Sequence, residues 1–203
     1  DNRFFLEFQP QLETGTGRIT GAGVLTRWDS PDDGLICIET LLPTSDQRGL
    51  LQEIGEWTLT EACSKAKRWQ QAGIPQLRIA VKIFRRQFEQ TDFADKVALI
   101  LAFSGLDPSL LDLEISENAL LYNLSESRRK LLALKETGVR VVLDNFGSGR
   151  TSLREISSLP VDRIKVGPAL VNGITQPAGS ALFPHHYRWA PQAEYLHTLH
   201  TTT

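Results

Sequence analysis

The chain lacks methionine altogether, carries two cysteines and has almost no surplus of charge. Each scarcity excludes something. Cys37 and Cys63 both lie inside apolar patterns without metal-ligand spacing, which argues against a small disulfide-stapled secreted scaffold and for a reducing compartment. A net charge of −2 and a pI of about 6.1 leave no polyanion-binding surface, so no nucleic acid polymer is expected as a partner. No run of about 18 apolar residues occurs, so no membrane contact is expected from this segment. No signal-peptide pattern is present, and a chain opening at Asp1 without methionine reads as a piece of a longer protein. The expected location is the cytoplasm, either free or as the cytoplasmic part of a larger, membrane-anchored protein.

What is present is enough for one full-sized core, with 41% hydrophobic residues in 203. FFLEFQP (4–10) and ITGAGVLTRW (19–28) read as strands joined through the turn-rich ETGTGR, a hairpin. A helix follows in LLQEIGEWTLTEACSKAKRWQQAG, where Leu51, Ile54, Trp57, Ala62, Ala66 and Trp69 fall near one face and Gly73 supplies the stop. LRIAVKIF reads as a strand. Helical residues 93–103 come next, with Asp92 placed to cap them and Gly105 to end them.

The unit then repeats. LLDLEIS is a strand, 124–135 a helix, VRVVLDNF a strand, 151–158 a short helix and RIKVGPAL a strand. Strand–helix–strand repeats imply parallel strands with crossover helices. A GxGxxG turn after the first strand would favour an open doubly wound sheet, and none is present, so a (β/α) barrel is the better fit. From Thr175 onward the period is lost, and all four histidines (His185, His186, His197, His200) lie in this tail without the carboxylate or cysteine partners of a built metal site.

Several strands carry one polar residue near their C-terminal ends: Gln9, Lys82, Glu114, Asp144 and Lys165. In parallel α/β folds the site gathers at that end. Converging carboxylates suit a hard cation such as Mg²⁺. An internal ion-pair network, with Lys82 and Lys165 neutralising Glu114 and Asp144, accounts for the same residues equally well. Either way these groups must meet, because burying any one of them unpaired costs several kcal/mol.

The ordered motifs LEFQP, GRITGAGVLTRW, IGEWTLTEAC, AVKIFRRQF, LEISENALL, VVLDNFGSGRTSL and LPVDRIKVGPALV resemble the EAL family of bacterial cyclic di-GMP phosphodiesterases from residue 4 to about 174. The resemblance implies a TIM-barrel-like (β/α) barrel, here apparently lacking its last two strands. It divides the chain into a degenerate EAL domain, 1–174, and an unrelated or non-native tail, 175–203. The family hydrolyses one phosphodiester with two Mg²⁺ or Mn²⁺ ions. At the matching positions this chain departs: Gly23 replaces the glutamate of Glu-Ala-Leu, Lys82 a metal-binding asparagine, Asn145 the second aspartate of Asp-Asp-Phe-Gly and Gly167 a further aspartate.

Glu114, Asp144, Lys165 and Glu117 survive as remnants of the catalytic set, Glu117 matching the residue that holds the glycine-rich loop, which in the family couples the active site to dimerisation. Glu114 and Asp144 are the residual metal candidates. On the ligand side the resemblance implies Gln9 for a guanine edge, Leu25 for the pocket wall, Arg27 for phosphate, Pro43 and Asp144. Backbone satisfaction for Gln9, a surface ion pair for Arg27 and a strand-ending role for Pro43 are the bland alternatives. Lys82 is expected between Glu114 and Asp144 as a fixed positive charge where the family places metal.

The function expected first is a catalytically inactive EAL-like domain that binds cyclic di-GMP as a receptor or regulatory module, with no metal cofactor. The alternatives are a protein-interaction module that has lost the nucleotide, and an active metal-dependent phosphodiesterase. Cyclic di-GMP, flanking signalling domains, a protein partner and a second copy of the chain are the partners this implies.

Overall fold

The computed structural model describes residues 3–13, 15–40, 49–147 and 153–167. Its frame is one mixed sheet. Strands β1 (Phe4–Leu12) and β2 (Ile19–Ser30) pair antiparallel as the expected hairpin, and β3 (Gly34–Cys37) adds to β2 antiparallel. From β2 onward the sheet runs parallel through β4 (Arg78–Ile83), β5 (Leu111–Ser116), β6 (Arg140–Phe146) and β7 (Arg163–Val166). Among the described residues β1 and β7 remain the two ends of the main strand order, so the sheet is not closed. It is the α/β, barrel-like arrangement expected, left open. Pro43 and residues 168–203 lie outside the described residues, and with them the proposed boundary at 174 and the four tail histidines.

Alternation along each strand explains the layering. Ile79, Val81 and Ile83 of β4, Leu111, Leu113 and Ile115 of β5, and Val141 and Leu143 of β6 all point to one face and are buried there. Helices cover that face. In α1 (Leu50–Gln71) the buried set Leu51, Ile54, Gly55, Thr58, Leu59, Ala62, Cys63 and Ala66 repeats at helical spacing. A Cβ on Gly55 would come 2.5 Å from Gln87 Oε1, so the glycine lets the buried Gln87 side chain lie against the helix. Trp69 meets Phe8 edge-on at 4.5 Å between ring centroids. Trp57 differs from expectation: it sits at the rim, 37% exposed, tilted against Phe4. The helices α3 (Phe93–Ser104) and α5 (Leu124–Glu136) complete the layer through Phe93, Val97, Leu101, Leu131 and Leu134.

Gly105 ends α3 in the left-handed region at φ 66°, as its sequence position suggests. Asp92 precedes the same helix without a side-chain cap. Its carboxylate instead faces Lys96 at 3.6 Å. The elements not anticipated are β3 and the short helices α2 (Arg85–Glu89) and α4 (Glu117–Leu121), which span four or five residues and are too brief to show a period. Lys130 from α5 closes the end of α2 by donating to the carbonyls of Phe88 and Glu89, at 2.8 and 2.6 Å.

Because Leu113 is fully buried at the centre of this layer, Leu113→Ala is expected to lower stability by about 3 kcal/mol in urea denaturation. Phe103→Ser, at a side chain 88% exposed, should shift it by less than about 0.5 kcal/mol. Equal effects would contradict this layering.

Candidate functional site

The other face of the sheet is polar. Gln9 and Gln11 of β1, Gly23, Leu25 and Arg27 of β2, Lys82 of β4, Asp112 and Glu114 of β5, Asp144 of β6 and Lys165 of β7 alternate with the core-facing residues and occupy this inner surface. Lys82 lies in register with Glu114, and Asp144 with Ser116, so parallel pairing draws the charged residues of neighbouring strands together.

They form two linked ion pairs. The Lys165 ammonium donates to both oxygens of Glu114, at 3.0 and 3.2 Å, and stands 3.9 Å from Asp144 Oδ1. Lys82 Nζ lies 3.4 Å from Asp144 Oδ2. Lys82 therefore does not bridge Glu114 and Asp144 as expected. It pairs with Asp144, while Lys165 takes Glu114 and reaches toward both. Burial pushes the Glu114 carboxyl upward against the pull of Lys165, with Asp144 adding to the rise and Lys82 opposing it. Burial works to lower the Lys165 ammonium, but Glu114 and Asp144 together hold it above its ordinary value.

Asp144 stands at an irregularity. Pairing of β6 with β7 slips between Leu143 and Phe146, and Asn145 has φ 57°, the one positive value among the described non-glycine residues. Asparagine tolerates this conformation better than most. Its Oδ1 stands where a Cβ on residue 167 would have to be, so Gly167 and Asn145 fit each other. Just beyond, Gly147 N–H donates to the buried Glu117 carboxylate at 2.9 Å, which ties α4 to the start of the glycine-rich segment.

The ligand-side residues are spread along the first hairpin. Gln9 faces Gly23 across the β1–β2 pair, and Leu25 faces Glu7. Because β1 runs against β2 and the strands parallel to it, the placing of Gln9 comes from this register and not from a shared strand end. Arg27 donates to Glu7 Oε2 at 2.7 Å, the surface ion pair foreseen as its bland alternative. Glu7 and Gln11 were not singled out from sequence. They flank Gln9 at strand spacing, Glu7 two residues before it and Gln11 two after, and that alternation is the signal that could have found them. Gln11 is buried, and its Nε2 comes 3.7 Å from the place a Cβ on Gly23 would take. Lower on the same face, Asp112 lies 3.5 Å from Arg163, and its other oxygen has no hydrogen-bond partner.

These donors do not fit a pair of divalent cations. Among the described residues Glu114 and Asp144 are the two carboxylates that meet here, and each already faces an ammonium, while positions 23 and 167 are glycine. Among the described residues no cluster of three or more His, Cys, Asp or Glu side chains is placed to hold a metal ion.

Comparison with known proteins adds an independent line. The EAL domain family profile matches residues 1–186. The chain is 33% identical over 174 residues to the signaling protein YkoW of Bacillus subtilis, covering 86% of this chain and 22% of that protein. It is 32% identical over 176 residues to the bifunctional diguanylate cyclase/cyclic di-GMP phosphodiesterase MucR of Pseudomonas aeruginosa, covering 87% of this chain and 26% of MucR. The solved PaMucR phosphodiesterase–c-di-GMP complex superposes with a TM-score of 0.81 at 32% identity, over 88% of this chain and 73% of that one. The chain thus spans about a fifth to a quarter of the length of these curated relatives.

Lys165→Met is expected to strand Glu114 and to lower stability by about 3 kcal/mol at pH 8. The sign follows from Glu114, whose folded pKa is already raised and rises further without the ammonium. Its protonation at low pH relieves the buried charge, so the loss should be smaller at pH 5 and grow as pH climbs through the folded value. Urea denaturation at both pH values checks this, and a loss independent of pH would refute it.

Proposed function

The chain belongs to the EAL domain family, and from that premise we propose that it is a receptor that binds cyclic di-GMP without cleaving it. The observation that carries this reading is the pairing of Glu114 with Lys165 and of Asp144 with Lys82. Two-metal hydrolysis needs carboxylates free to hold cations, one to activate water and one to neutralise the leaving oxygen. Here both carboxylates are engaged by ammonium groups, which bring positive charge but neither Lewis acidity nor a metal-bound hydroxide. Binding makes lighter demands. Gln9 and Leu25 offer a polar edge and an apolar wall on the inner face, and Arg27 offers a guanidinium for a phosphate oxygen once it shares or releases Glu7. MucR, whose EAL structure was solved with c-di-GMP, supports cyclic di-GMP as the ligand class.

Pro43 and Asp144 complete the proposed ligand set, with Glu117 holding the loop. The relatives' greater length supports signalling through flanking domains of a longer protein, and a cytoplasmic location and a homodimer are further parts of the proposal. No helix among the described residues is long and apolar enough to cross a membrane. A protein-interaction role has one observation of its own. The outer face of α3 leaves Leu99 and Phe103 exposed beside a cavity of about 540 Å³ between α3 and α5, lined by Ala98, Ala102 and Ala133.

Calorimetric titration with cyclic di-GMP in EDTA should give binding in the micromolar range, with intact ligand recovered afterwards. Arg27→Ala should weaken it by about 10- to 100-fold, the loss of one charge-assisted hydrogen bond. Recovery of the linear dinucleotide in Mg²⁺ would overturn the receptor reading. Absence of heat from folded protein would leave the interaction role standing.

A further inference from the structure

We infer that Lys82 sets the sign of the charge at this site: its ammonium repels divalent cations from Asp144 and offers itself to a phosphodiester anion. The inference rests on the receptor reading for the identity of the anion, but not for the exclusion of metal. The two lysines are not equivalent. Lys165 is the more enclosed, with side-chain exposure of 25%, and is held by hydrogen bonds to both Glu114 oxygens. Lys82 is 38% exposed and faces a single oxygen, Asp144 Oδ2, at 3.4 Å. An ammonium has three donors, and this geometry leaves Lys82 donors turned toward solvent.

Charge arithmetic makes Lys82 decisive. Glu114 and Asp144 supply two negative charges and Lys82 and Lys165 two positive ones, so the group sums to zero. Remove Lys82 and the same group carries one net negative charge, which repels a phosphodiester and attracts a dication. Partly buried charges at 3–4 Å are weakly screened by salt, so a single charge controls which ion is admitted. The positions next to Lys82 on the inner face are small. Two residues before Lys82, the inner-face position of β4 is Ala80, and its neighbour on β2 is Gly23. A Cβ at Gly23 would meet ordinary contacts, 3.7 Å from Gln11 and 3.9 Å from the Gln9 carbonyl, so Gly23 adds no side chain to a part of the inner face that Gln11 and the Gln9 carbonyl already border.

Lys82 is a positioning and binding group in this account, and its two effects can be read separately. The full chain, its Lys82→Asn variant and its Lys82→Arg variant are titrated with Mn²⁺ alone, followed by electron paramagnetic resonance of free Mn²⁺, and with cyclic di-GMP alone in EDTA. Circular dichroism and thermal melts establish that each is folded. The parent chain should bind no Mn²⁺ below about millimolar, and Lys82→Asn should gain affinity for Mn²⁺ by about tenfold or more while losing affinity for the nucleotide by a similar factor. Lys82→Arg keeps the charge and should behave as the parent does in both titrations. Tight Mn²⁺ binding by the parent, or no gain in Lys82→Asn, would overturn the inference whatever the nucleotide does. If the parent binds no nucleotide, the receptor reading and the anion half fall together, and the Mn²⁺ titration alone decides the exclusion of metal.

Discussion

Two carboxylates placed inside a sheet must be neutralised, and that constraint governs the inner face of this protein. Glu114 and Asp144 enter the same space because β5 and β6 are adjacent and parallel, and both are buried. Unpaired, each would be driven to take up a proton or to open the fold. Lys165 and Lys82 supply the counter-charge from β7 and β4, on either side. The opposite face is free of this problem. Its Ile, Leu and Val side chains pack under the helices and carry most of the hydrophobic stabilisation.

The division of work between faces links fold to function. One face of each strand holds the sheet together, and the other presents chemistry at a fixed spacing. A change of residue type on the inner face can therefore alter what is bound while the helix-covered core stays intact. Gly23, Lys82, Asn145 and Gly167 all lie on or beside that inner surface, and the structure accommodates each. Asn145 fills the space beside Gly167, and Lys82 completes the charge balance around Asp144.

Much of this was legible in the sequence, and the rest was hidden for identifiable reasons. Lys82, Glu114, Asp144 and Lys165 stood out because charged residues interrupt apolar strands, and the structure brings these four together. Gln9 also stood out, but its place depends on the hairpin register. The α1 face was readable from its period and the end of α3 from Gly105. Which lysine serves which carboxylate was not readable, because parallel register is decided by the whole sheet and leaves no local mark. For the same reason the Arg27–Glu7 pair required knowledge of where β1 lies against β2. The helices α2 and α4 were missed for a simpler reason, their brevity.

Lysine in place of a metal-binding amide is the central claim, and anomalous X-ray scattering from crystals grown with Mn²⁺ and cyclic di-GMP tests it most directly. The account predicts the Lys82 ammonium between Asp144 and a phosphodiester oxygen of intact ligand, with no manganese peak at Glu114 or Asp144. A manganese peak bridging those two carboxylates, with Lys82 turned away, would contradict it.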